Sequence, residues 1–160
     1  MNANESLIHH FYTSFKNKDI KGMQNCYAGH ATFTDPAFRN LDAQQVRSMW
    51  EMLIKSSKNM RIEYDHVEAG DHTATAEWTA YYTFSATGKK VVNKVKSSFV
   101  LENGKIVSQQ DEFNFYRWAK QALGLTGLLL GWTSFLKNKV HKTASDKLRS
   151  YMETSSGQTL

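Results

Sequence analysis

The stretch "HATFTDPAF", His30 to Phe38, decides how this chain is read. It alternates with the period of a half-buried strand, with Thr32 and Thr34 on one side and Ala31, Phe33, Asp35 and Ala37 on the other. The only carboxylate of the stretch therefore lies on the apolar side, just before the only proline in the chain. Two readings of Asp35 stay open. It is a base held in an apolar interior, or an acid that shapes a turn by accepting backbone N–H groups around Pro36.

On the N-terminal side, Leu7, Ile8, Phe11, Tyr12 and Phe15 recur at helical spacing and form one apolar stripe. A short second helix follows, with Asp19 as N-cap, Ile20, Met23 and Tyr27 facing inward and Gly29 as its stop. On the C-terminal side, Asp42 and Gln45 have the spacing of a capping box. Val46, Met49, Trp50, Leu53 and Ile54 then mark one face of a third helix. From Met60 the period becomes two. Four strands are predicted, "MRIEYDHVEA", "TATAEWTAYYTFSA", "KVVNKVKSSFVLE" and "KIVSQQDEFNFY", separated by the hairpin signals Gly70-Asp71, Thr87-Gly88 and Asn103-Gly104. Long antiparallel strands twist, and helices laid on the concave side can close a cavity.

The end of the chain places Leu128, Leu129, Trp132, Phe135, Leu136, Val140 and Leu148 on an amphipathic helix. Gly124, Gly127 and Gly131 interrupt its apolar part, which is too short to span a bilayer. Docking on its own domain or on a second subunit is expected, with a membrane surface as the lesser alternative. Domain expectations follow: residues 1–124 form the main unit, and residues 125–160 a C-terminal helical extension packed on it.

Composition narrows the function classes. The chain has 160 residues, 41% hydrophobic, which suits one domain with a substantial core. The N-terminus lacks the basic start and apolar run of a signal peptide, and the lone Cys26 has no partner for a disulfide, so a cytoplasmic location is expected. The excess of five basic groups is concentrated late in the chain, in "FLKNKVHKTASDKLR". No base-stacking aromatics interleave with those lysines, so nucleic acid is not expected as a partner. His9 and His10 point about 100° apart on a helix, and His30, His66, His72 and His141 lack ligand spacing, so no metal is expected. "GLTGLLLG" lacks the Lys-Ser/Thr ending of a phosphate loop.

The element order, with "FYTSFKNKDIKGM", "HATFTDPAFRNLDAQQVRSMW" and "ENGKIVSQQDEFNFYRWAKQALG", resembles the SnoaL-like branch of the nuclear transport factor 2-like superfamily, which also includes ketosteroid isomerase. The resemblance runs from about Glu5 to Gly124. It implies an α+β cone, a curved antiparallel sheet wrapped by N-terminal helices (a cystatin-like roll), with an apolar pocket and a homodimer formed through the sheet face. By resemblance Asp35 falls on the isomerase's general base. The isomerase's oxyanion tyrosine aligns with Phe11, which has no hydroxyl, and its protonated acid falls near Lys96 to Ser98. The cyclases' catalytic Asp aligns with Asn114, and their tryptophan with Gln110.

Asp35 and Asn114 are thus the catalytic candidates, and Phe11, Tyr12, Phe33, Trp50, Tyr64, Trp78, Gln110 and Glu112 the pocket candidates. Tyr82 is a further hydroxyl within reach. Strand alternation does not say which row of the last strand faces inward. If it is the row of Gln109, Asp111, Phe113 and Phe115, Asp111 becomes the second pocket acid. The functional expectation is a small hydrophobic carbonyl compound in the pocket, with cofactor-free isomerase, cyclase or hydrolase-like proton transfer through Asp35. The alternatives are a non-catalytic carrier or sensor, and an adaptor or membrane-surface protein that uses the basic C-terminal helix.

Overall fold

A computed structural model describes residues 1–57 and 59–157. Helices α1 (Ala3–Lys16) and α2 (Ile20–Gln24) precede strand β1 (Tyr27–Thr34) and helix α3 (Ala43–Ser56). Strands β2 (Arg61–Ala69), β3 (Thr73–Phe84), β4 (Lys89–Glu102) and β5 (Lys105–Glu112) form an antiparallel meander. β1 adds to it in parallel beside β5, so the curved open sheet runs β1-β5-β4-β3-β2. Helices α4 (Phe115–Leu123), α5 (Leu125–Leu130) and α6 (Ser134–Gly157) complete the chain. The last three residues of the expected extension, 158–160, lie outside the described residues.

Local chemistry explains most boundaries. Asn2 caps α1 by accepting from the Glu5 N–H, and Asp19 caps α2 through the Gly22 N–H. The Asp42–Gln45 capping box forms reciprocally and starts α3. Gly88 and Asn103-Gly104 take positive φ in their hairpins, the backbone that these tight turns need. The second helix ends earlier than its sequence suggests. Tyr27 is the first residue of β1, paired with Ile106, because the edge of β5 offers it a ladder that a longer α2 would forfeit. Gly29 lies inside that strand and stops no helix.

The concave face of the sheet and the apolar faces of α1 and α3 enclose one core. Ile8, Phe11, Tyr12 and Phe15 meet Val46, Met49 and Trp50 over Trp78, Phe99 and Leu101. Burying each such side chain contributes about 1.5–3 kcal/mol, so these faces decide how the layers stack. A smaller cluster of Val91, Phe115, Trp118, Ala119, Ala122 and Leu136 joins α4 and α6 to the sheet, and Tyr82 and Phe113 touch both clusters.

The predicted single C-terminal helix is two helices. The chain breaks at Gly131, and the Thr133 hydroxyl restarts it by accepting from the Leu136 N–H. Leu136 and Leu148 face the core, whereas Leu128, Leu129, Trp132 and Phe135 are exposed.

Candidate functional site

β1 ends at Thr34, and the chain turns back so that Leu41 exchanges two backbone bonds with Phe33. Inside this turn one oxygen of Asp35 accepts from the Ala37 and Phe38 N–H groups, each at 2.7 Å, and the Asp35 N–H donates to the Phe38 carbonyl. Asp35 therefore shapes the turn, yet its carboxyl is also half-buried at the rim of the core. Burial pushes it up to about 6, outweighing the two N–H groups that pull it down. One oxygen serves the backbone of the turn while the group as a whole is desolvated. Helix α6 lies over the turn: His141 Nδ1 donates to the Ala37 carbonyl at 2.9 Å, and Arg39 donates to Asn138.

The second acid is Asp111, buried on the concave face of β5. Two chains of donors converge on its Oδ1. In the first, Trp50 donates to the Tyr27 hydroxyl at 2.8 Å, Tyr27 to the Gln109 carbonyl oxygen at 2.5 Å, and Gln109 Nε2 to Asp111 at 3.1 Å. In the second, Tyr12 and Trp78 donate to Ser97 Oγ at 2.7 and 2.9 Å, and Ser97 donates to Asp111 at 2.5 Å. Burial nevertheless raises the Asp111 carboxyl to about 7; the Ser97 and Gln109 bonds oppose the rise and the negative charge of Asp35 adds to it. Burial raises the Tyr82 phenol and the Asp35 charge adds to the rise, while the bond its oxygen accepts from Trp118 Nε1 at 2.8 Å opposes it. The charge of Asp35 thus reaches both Asp111 and Tyr82. Asp35 therefore ionises at lower pH than Asp111.

The structure settles the open row of the last strand. Gln110 and Glu112 are exposed on the outer face, and Asn114 caps α4 by accepting from the Arg117 N–H. These three face away from the concave side, where Gln109, Asp111 and Phe113 stand instead. The reason is a bulge. Ile106 pairs with Leu101 but Ser108 with Val100, so Val107 is an extra residue and the inward parity changes from even to odd.

The aromatic candidates are core. Phe11, Tyr12, Phe33 and Trp50 pack edge to face, with ring centroids about 5–6 Å apart, and leave almost no exposed surface. Trp78 joins them, and Tyr64 stacks on Tyr12 at 5.3 Å while its hydroxyl meets His9 and Thr13. An open groove of ≈ 900 Å³ runs past Lys16, Tyr64, Trp78, Phe113 and Asn114. Ser97 stands in the inward row Val91, Asn93, Val95, Ser97, Phe99, Leu101, where its hydroxyl is buried.

A separate trio, Asp65, His66 and Glu77, offers three ligand atoms within 4.8 Å of one another on the exposed outer face. Spacing along the chain hid it, because Glu77 reaches Asp65 only across the β2–β3 ladder and His66 sits at positive φ in a bulge. His66 is ion-paired with both acids, which raise its proton affinity.

Residues 8–109 match the family model of the SnoaL-like domain. No curated protein matches the chain in sequence. Among solved structures, an NTF2-like protein of unknown function from Burkholderia pseudomallei superposes with a TM-score of 0.62 at 19% identity, over 71% of this chain and 92% of that one. An LEH-like epoxide hydrolase of M. tuberculosis gives 0.63 at 15% identity, over 80% and 96%. IdmH of Streptomyces antibioticus, a candidate polyketide cyclase, gives 0.64 at 16% identity, over 76% and 99%. At these identities the likeness is one of fold.

Proposed function

The chain belongs to the SnoaL-like domain family, and on that premise we propose that it is a cofactor-independent proton-transfer enzyme for small apolar carbonyl compounds. One observation carries the proposal: two desolvated carboxyls, Asp35 at the rim of the aromatic core and Asp111 within it, are raised to about 6 and about 7, and the charge of Asp35 reaches Asp111. Ionised Asp35 takes a proton from the carbon beside the carbonyl. Neutral Asp111, with the Tyr82 hydroxyl, donates hydrogen bonds to the enolate oxygen that develops. Asp35 then returns the proton to the same or a conjugated carbon, so no group or electron leaves the substrate. Phe113, partly buried and packed against both clusters, is the side chain whose movement would open this corner to a substrate.

The test is solvent-deuterium exchange at the α-carbon of a panel of cyclic ketones and enones, followed by NMR with the full chain. Wild type should catalyse exchange, and Asp35→Asn should lower the rate by about 100-fold or more. The rate should follow a bell with limbs near pH 6, where Asp35 ionises, and near pH 7, where Asp111 loses its proton. Compounds that bind without exchanging would instead identify a carrier that uses the same corner. A panel that neither binds nor exchanges overturns both readings.

A further inference from the structure

We propose that the corner formed by α5 and the start of α6 docks on the surface of an anionic lipid bilayer. The first observation is that α5 is built the wrong way round for a soluble helix. Its glycine faces inward and its leucines face out. A Cβ at Gly127 would lie 1.9 Å from the Ala119 carbonyl oxygen, and one at Gly131 would lie 2.4 Å from the Gly127 oxygen. The Gly127 contact pins α5 on α4 and leaves Leu125, Leu128, Leu129 and Leu130 on the outside. Leu125 is 71% exposed, Leu129 60%, Trp132 71% and Phe135 68%. Isolated exposed leucines need no explanation, but six large apolar side chains within eleven residues do.

Two side chains are tied to the backbone of the patch. Trp132 Nε1 donates to the Leu129 carbonyl at 3.1 Å, and the Tyr116 hydroxyl donates to the Leu128 carbonyl at 3.2 Å. Trp and Phe beside leucines are the side chains that settle at the boundary between headgroups and acyl chains. Six residues of α5 cannot cross a bilayer, and among the described residues no helix is long and apolar enough to do so.

Charge selects the occupant. Residues 113–160 hold seven Lys or Arg against two Asp or Glu, so the entire formal charge of +5 lies in this part and residues 1–112 are balanced. Basic groups flank the patch on both sides. The Lys89 side chain reaches Gly124, and the Lys120 ammonium lies 4.8 Å from the centre of the Tyr116 ring. Lys137 and Lys139 follow Phe135, with Lys139 one helical turn beyond it on the same face. All four lysines are exposed, and none has an ion-pair partner among the described residues. A neutral apolar partner or a second copy of this basic corner would leave these charges uncompensated or opposed, whereas an anionic headgroup layer neutralises them.

The experiment is co-sedimentation of the full chain with vesicles of phosphatidylcholine alone and of phosphatidylcholine with about a third phosphatidylserine. Wild type should bind the anionic vesicles, weaken with added salt and leave the neutral ones largely unbound. The double variants Leu129→Ser/Phe135→Ser and Lys137→Glu/Lys139→Glu should each weaken binding by about tenfold or more. Brominated acyl chains should quench a fluorescence component that Trp132→Phe removes. The proposal is overturned if neither vesicle binds, or if charge reversal has no effect. It is also overturned if light scattering finds a dimer that Leu129→Ser/Phe135→Ser dissociates while vesicles stay unbound, since a second copy then covers the patch. Because the two double variants alter different groups, misfolding of one leaves the other as the test.

Discussion

Asp111 shows how one buried acid links stability to pH. Its proton affinity is raised in the fold from 3.8 to about 7, so the native state holds a proton that the unfolded chain releases. The sign follows: stability is greatest below about pH 4, falls between about pH 4 and 7, and stays low above. The full span for this group is at most about 4 kcal/mol. Asp111→Asn should flatten that slope, making the variant more stable than wild type at pH 8 and not at pH 4; denaturant titrations at the two values check it. Ser97 is the hinge of the same network. Ser97→Ala leaves the Tyr12 hydroxyl and the Trp78 N–H buried without their acceptor, and should cost about 2–4 kcal/mol in the same assay. Neither role is visible in a residue's own identity. Asp35 stands alone on an apolar row, whereas Asp111 is one of four consecutive acids or amides, Gln109 to Glu112.

The elements separate what a local pattern can carry from what it cannot. The capping box at Asp42, the Asn103-Gly104 hairpin and the apolar stripe of α1 depend on neighbours within a few residues, and each forms as its pattern predicts. The parity of β5 does not. A single bulged residue, Val107, reverses every later side chain, and its place is set by pairing with β4 rather than by its own propensity. For the same reason Tyr27 joined a strand: β1 forms only because β5 is there to receive it. α5 is fixed by a close approach of two backbones, and this gives a test. Gly127→Ala puts a Cβ against a carbonyl oxygen that cannot step aside, and should destabilise by about 1–3 kcal/mol. Faster amide exchange confined to residues 125–130 would place the damage in α5, whereas unchanged exchange there would contradict the close approach.

At the scale of the molecule, α6 ties the far end of the chain to the acid turn. It buries Leu136 and Leu148 and bonds the Ala37 carbonyl through His141. A chain ending at Thr133 should lose about 3 kcal/mol or more, and, where it still folds, the Asp35 carboxyl should fall from about 6 toward its ordinary range as water enters. Carboxyl NMR measures that fall, and an unchanged value would mean that α6 does not shield the turn. The sequence alone determined the α+β class, the order of helix, strand, helix and meander, the Asp19 and Asp42 caps, the hairpin turns, and the place of Asp35 at the end of the first strand. Those features rest on periodicity and on contacts between near neighbours, which a linear pattern records. Only the tertiary structure decided that Asp111 rather than Asn114 faces the core, that Tyr27, Ser97 and Tyr12 lead their hydrogen bonds to it, and that the leucines of α5 face outward. Each of these depends on which distant backbone lies alongside, and a bulge or a glycine contact there reverses a face without changing the composition that hydropathy reads.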